Sequence, residues 1–148
     1  MNLNRRDVMA AVGGVAALGA VSALAAPATE PTKAAPAAVP NFKSLIDSAE
    51  KCAATGRDCL AECIRTLSKG DTMMADCANT VRAMLPLCDA VAALARMNSP
   101  HLKAVAAICA KACRECEVSC QKHAGHHAEC KACQESCKAC AAECDKLA

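Results

Sequence analysis

The sequence contains no Trp and no Tyr, and it has a single Phe, Phe42. Soluble cores usually take much of their apolar bulk from aromatic rings, so smaller side chains must fill this one. Charge of one sign is lacking too: the formal net charge is +2 over 148 residues. With no basic face and no rings to stack on bases, the chain is not a nucleic-acid binder. After Asn41 there is no polar–apolar alternation, so no strand is expected. What the chain does have is Ala, Glu, Lys and Leu, which favour helix, and 14 Cys. Free Cys packs as a small hydrophobe, so the same thiols can be core and chemistry.

Residues 1–25 read as an export segment. Arg5-Arg6 precedes the mildly apolar, Gly-containing run Val8 to Ala25, and Ala23-Leu24-Ala25 supplies a small-x-small cleavage pattern. The paired arginines are those of a twin-arginine signal, although Val8 stands where that pattern has Phe; a general secretory signal is the alternative. The run is too rich in small residues for a membrane anchor. Residues 26–40 hold four of the six prolines and read as an extended linker. The folded domain is expected over 41–148, in an exported, periplasmic or extracytoplasmic protein.

Four helices follow from punctuation. The first runs from Asn41, a good N-cap, to Lys69, with Gly70 as its stop. The second runs from Asp71 or Thr72 to about Arg96, with a kink expected at Pro86. The third opens with Ser99 as N-cap and Pro100 in the first turn, and reaches about Lys122. Gly125 breaks the chain, and the fourth runs from His126 or His127 to about Lys146. Short connections make successive helices antiparallel, so the fold class is all-α: an up-down-up-down four-helix bundle.

The cysteines sit on the seams of these helices, at alternating steps of three and four. The fourth helix carries Cys130, Cys133, Cys137, Cys140 and Cys144. The third carries Cys109, Cys113, Cys116 and Cys120. The first has Cys52, Cys59 and Cys63, with Ala49 and Gly56 between seam positions. The second has Cys77 and Cys88, with Val81 and Met84 between them; Met84 reads as core packing. Charged residues such as Lys131, Glu135 and Lys138 lie off these arcs. All 14 thiols should therefore face one interior.

Three chemistries could use such an interior. Disulfides suit an exported chain, but Cys at i, i+3 and i+4 along continuous helices form a ladder, not loops to staple. Zinc or an iron–sulfur cluster would use the CxxC pairs Cys113–Cys116, Cys130–Cys133 and Cys137–Cys140. Those pairs lie mid-helix and run into further Cys, whereas zinc ribbons place them on tight turns and clusters prefer loops. No CxxC is followed by His, which excludes c-type haem. Cu(I) fits best. It is soft and takes thiolates, and two or three ligands suffice, with thiolates bridging neighbouring ions. One Cu(I) per thiolate is also neutral, which a low-dielectric core tolerates. No nucleophile–base arrangement stands out, so catalysis is not expected.

The cysteine runs CxxxCxxCxxxC (Cys109 to Cys120) and CxxCxxxCxxCxxxC (Cys130 to Cys144), on an Ala-rich helical domain behind a cleavable segment, resemble the four-helix-bundle copper storage proteins. Members of that family include exported and cytosolic forms, and the N-terminal segment here resembles the exported kind. The resemblance implies several Cu(I) ions per chain on inward thiolates, a bundle that folds without metal, and a homotetramer. Exported relatives carry His and Met at the mouth of the bundle. Here Glu62, beside Cys63, stands where the resemblance leads one to look for His.

The two ends of the bundle differ. Met73 and Met74, and His123, His126 and His127, share the end formed by the first and third connections. They are candidate entrance ligands, since thioether and imidazole are weaker, exchangeable copper ligands. The opposite end gathers Phe42, Leu45, Ile46, Leu94, Met97 and Leu102 as an apolar plug with almost no Cys near it. His101 reads as a surface residue. A side stripe of Ile46, Ala53, Leu60 and Leu67, with Ile64 beside it, and the apolar arc of the second helix through Leu87 and Leu94 suit either flank packing within the bundle or a subunit interface. The resemblance, which implies a homotetramer, favours the interface.

Overall fold

The structure, a computed structural model, describes residues 41–147. The expected export segment (1–25) and linker (26–40) lie outside the described residues. Four helices make up the rest: α1 (Lys43–Leu67), α2 (Ala75–Arg96), α3 (Leu102–Gln121) and α4 (Ala128–Asp145), with a 3-10 turn at Thr72–Met74 ahead of α2.

Side chains and backbone turns satisfy loose backbone groups at several of the helix ends. Asn41 Oδ1 accepts from the Lys43 N–H at 3.0 Å. Past the end of α1 the chain turns at Gly70, whose φ of 89° suits glycine. The Asp71 carboxylate then accepts from the Met73 N–H at 3.0 Å. α2 closes in a Schellman motif. The Ser99 N–H reaches the Leu94 carbonyl at 3.0 Å, and the Asn98 N–H reaches that of Ala95 at 3.2 Å. Asn98 takes the left-handed conformation this requires, with φ 47°, and Asn is among the residues that tolerate it.

At the start of α3, Ser99 Oγ accepts from the His101 N–H at 3.3 Å, which is the capping contact expected of it, and the helix is regular from Leu102. α2 continues through Pro86 as one helix. Pro86 lacks the N–H that would pair with the Arg82 carbonyl. Both residues are exposed, so water can serve that carbonyl and the helix continues.

Cross-helix contacts set the topology. Arg57 binds Asp89 through both carboxylate oxygens, at 2.8 and 2.7 Å, and Arg96 pairs with Glu50. Later residues of α2 thus meet earlier residues of α1, which makes the pair antiparallel. Cys77–Cys120 and Cys88–Cys109 show the same for α2 and α3. Cys116–Cys133 and the Arg114–Asp145 pair show it for α3 and α4. Cys59–Cys130 and a 2.5 Å contact between the Thr55 and Ser136 hydroxyls close the ring between α4 and α1. The fold is the up-down-up-down bundle expected, with each helix packed along its two neighbours and meeting the diagonal one through core thiols such as Cys59–Cys120 and Cys88–Cys140.

The stripe on α1 is mostly absorbed by the bundle. Ala53 is buried, and Ile46, Leu60 and Leu67 pack half-buried against the core. Ile64 alone of that group is exposed, at 57%.

Candidate metal centre

Every cysteine is a free thiol. Thirteen have 0% of their surface exposed and Cys144 has 2%. Along the bundle axis they form overlapping groups whose sulfurs all lie within 4.8 Å of one another. Nearest the His/Met end are Cys59, Cys63, Cys77 and Cys130. Then come Cys59, Cys120 and Cys133, followed by Cys116, Cys133 and Cys137. Deeper still are Cys52, Cys88, Cys113 and Cys140, and last Cys109, Cys140 and Cys144. Shared members and cross-links make this one column. Cys52 Sγ lies 3.6 Å from Cys137 Sγ, and Cys77 Sγ lies 3.5 Å from Cys120 Sγ. Metal–thiolate bonds of about 2.3 Å put the sulfurs of a three-coordinate site about 4 Å apart. The column already has that spacing.

The thiols are each other's hydrogen-bond partners. The hydrogen bond from Cys140, together with burial, pushes the Cys144 thiol up to about 12, against an opposing contact from Cys109. Cys109 and Cys137 are also held above the usual thiol range, each first by its hydrogen bond with Cys113 and then by burial. A thiol that accepts from several neighbours ionises more readily. Cys77 is pulled down by Cys120 and Cys130, and Cys133 by Cys116 and Cys120.

At one end, Met73, Met74, His123, His126 and His127 line a single depression of about 500 Å³, with Asp71 and Asp76 on its rim. Met73 is 73% exposed and Met74 is 1% exposed, so one thioether faces solvent and the other points inward. His127 is partly committed: its Nδ1 lies 3.0 Å from Glu62 Oε1, which leaves Nε2 for a metal. Glu62 also pairs with Arg65 and accepts from Thr66 Oγ1 at 3.4 Å. Burial pushes the Glu62 carboxyl up, but the His127 hydrogen bond and the Arg65 charge bring it below the usual carboxylate range. The acidic residue standing where His was sought therefore holds a histidine from the facing helix end.

At the other end, Leu45 and Leu102 are each 4% exposed, and Phe42, Ile46 and Leu94 pack half-buried around the core. Two parts of the plug expectation are corrected. Met97 is 66% exposed, carried outward by the turn that ends α2. The thiol column also extends to this end, because Cys144 lies one turn before Leu147, which borders the same depression as Phe42 and Leu102. His101 is exposed, as expected. Sequence reasoning missed the Glu62–His127 pair, which joins α1 to the start of α4. It also missed the orientation of Met84, whose sulfur faces two thiols. The only signal for the latter was its place on the seam.

A bundle with a continuous column of free thiols for a core defines a protein that binds soft metal ions through thiolates. The chain belongs to the copper storage protein family, whose model matches residues 39–148. It is 28% identical over 107 residues to the uncharacterized cysteine-rich protein YhjQ of Bacillus subtilis (strain 168), covering 72% of this chain and 92% of that one. A Cu(I)-bound copper storage protein, BsCsp3, superposes with a TM-score of 0.66 at 25% identity, over 73% of this chain and 99% of the other. A cytosolic copper storage protein from Streptomyces lividans, loaded with five coppers, superposes with a TM-score of 0.65 at 27% identity, over 72% of this chain and 90% of the other.

That last likeness overturns the exported localisation expected from residues 1–25, since the Streptomyces lividans protein is cytosolic.

Proposed function

We propose that this chain stores Cu(I), taking many ions onto the thiolates of its core. The observation that carries the reading is the unbroken thiol column, in which every cysteine lies in a group of three or four sulfurs. Cu(I) is satisfied by two or three soft ligands, so each overlapping group can hold ions and share sulfurs with the next. The filled core approaches neutrality as the ion count approaches the thiol count, and that suits a dry interior. The ligands in this reading are Cys52, Cys59, Cys63, Cys77, Cys88, Cys109, Cys113, Cys116, Cys120, Cys130, Cys133, Cys137, Cys140 and Cys144.

Met73, Met74, His123, His126 and His127 form the entrance. Their common depression beside the outermost group of four thiols supports that role. The chain has no catalytic part in this reading, because the bound ion is cargo and the ligands close around it. The protein assembles as a homotetramer, with the half-buried leucines of α1 and α2 and the exposed Ile64 as the apolar surface for it.

Anaerobic titration of the reduced full chain with Cu(I), against a chromophoric chelator, tests the reading. Loading should approach the thiol count of 14. A zinc-type protein would instead fill only separate four-sulfur sites, of which the column contains two. Saturation at two to four ions refutes storage.

A further inference from the structure

The α2 wall of the column carries only two thiols, Cys77 and Cys88, with Val81 and Met84 on the seam between them. The facing α1 wall has a gap of its own at Gly56, between Cys52 and Cys59. Met84 lies across both gaps with 0% of its surface exposed. Its Sδ is 3.2 Å from Cys88 Sγ and 3.6 Å from Cys52 Sγ, and both thiols donate toward it. Its methyl group points the other way, at Gly56. A Cβ on Gly56 would stand 2.9 Å from the Met84 Cε. The missing side chain on α1 is thus what lets Met84 turn its methyl outward and its sulfur onto the thiols. A plain core filler needs no such orientation; Val81, on the same seam, has none.

We infer that Met84 is a copper ligand: its thioether joins the thiolates of Cys52 and Cys88 in a three-sulfur Cu(I) site in the middle of the column. The inference rests on the storage reading and deepens it. Loading the site displaces the protons of Cys52 and Cys88 to solvent buffer. Met84 loses no proton and no electron, and copper stays Cu(I) throughout. The thioether therefore adds a donor without adding negative charge. Sulfurs about 4 Å apart around the ion require the Cys88–Met84 pair to open from 3.2 Å. Three side-chain torsions let Met do this without moving α2. The site takes Cys52 and Cys88 from the deeper group of four thiols, and a thioether holds copper less firmly than a thiolate. It gives an ion a more exchangeable position on the α1–α2 side.

Selenium X-ray absorption on selenomethionine-labelled full chain, loaded anaerobically with excess Cu(I), tests the site. The Met73→Leu/Met74→Leu variant removes the entrance thioethers and leaves Met84 as the methionine within the column. A copper neighbour at bonding distance from selenium is expected in that variant, and its loss is expected when Met84→Leu is added. If the double variant binds copper while selenium sees no copper neighbour, Met84 is packing and the inference fails. That result is read with Met84 in place, so it does not depend on how Met84→Leu folds. Failure of the storage reading looks different: the unmodified chain itself would saturate at two to four ions.

Discussion

Copper uptake should be coupled to proton release, and the coupling can be worked from the core. The pKa shifts of Cys109, Cys137 and Cys144 arise from other thiols and from burial, with no cation among their causes. Cys144, pushed up to about 12, keeps its proton throughout the neutral range. Since the ligand is the thiolate, each Cu(I) must displace a proton. Full loading should release about one proton per ion. The sign is fixed: protons compete with copper, so affinity falls as pH falls. One unit of pH costs about 1.4 kcal/mol, a factor of about ten, for each proton displaced. Two assays check this. Calorimetric titration in buffers of different ionisation enthalpy counts protons per ion. Competition with a chelator calibrated at pH 7.5 and 6.5 measures the affinity change. Release well below half a proton per ion, or equal affinity at the two pH values, would refute thiolate ligation.

Replacing Met73, Met74, His123, His126 and His127 with residues that bind no metal should slow Cu(I) transfer from a small donor complex, while final loading falls by no more than a small share of the thiol count; stopped-flow uptake at the wild-type rate would contradict an entrance at that end. Leu45→Ala and Leu102→Ala at the opposite end should each lower apo stability by about 2–5 kcal/mol in urea unfolding, because each leaves a cavity under a nearly closed surface. Neither should slow uptake into folded protein.

The cysteine arcs were legible because a helix repeats every 3.6 residues, a local rule. Once the stops at Gly70 and the 98–100 turn are recognised, the arcs of all four helices must share one interior. The ends of the helices were less legible. The left-handed conformation of Asn98 depends on which carbonyls the end of α2 leaves unpaired.

By itself the sequence determined that this chain is a helical bundle, that its thiols face inward, and that soft-metal chemistry follows from their number and period. Tertiary structure alone decided which sulfurs meet. Cys52 joins Cys137 and Cys88 joins Cys113 only because antiparallel packing sets the axial offset between helices, and no local pattern encodes that offset. The same holds for Met84. On the seam of α2 it is indistinguishable from a packing residue until α1 presents Gly56 opposite its methyl group, and the room left there turns the sulfur toward Cys52 and Cys88.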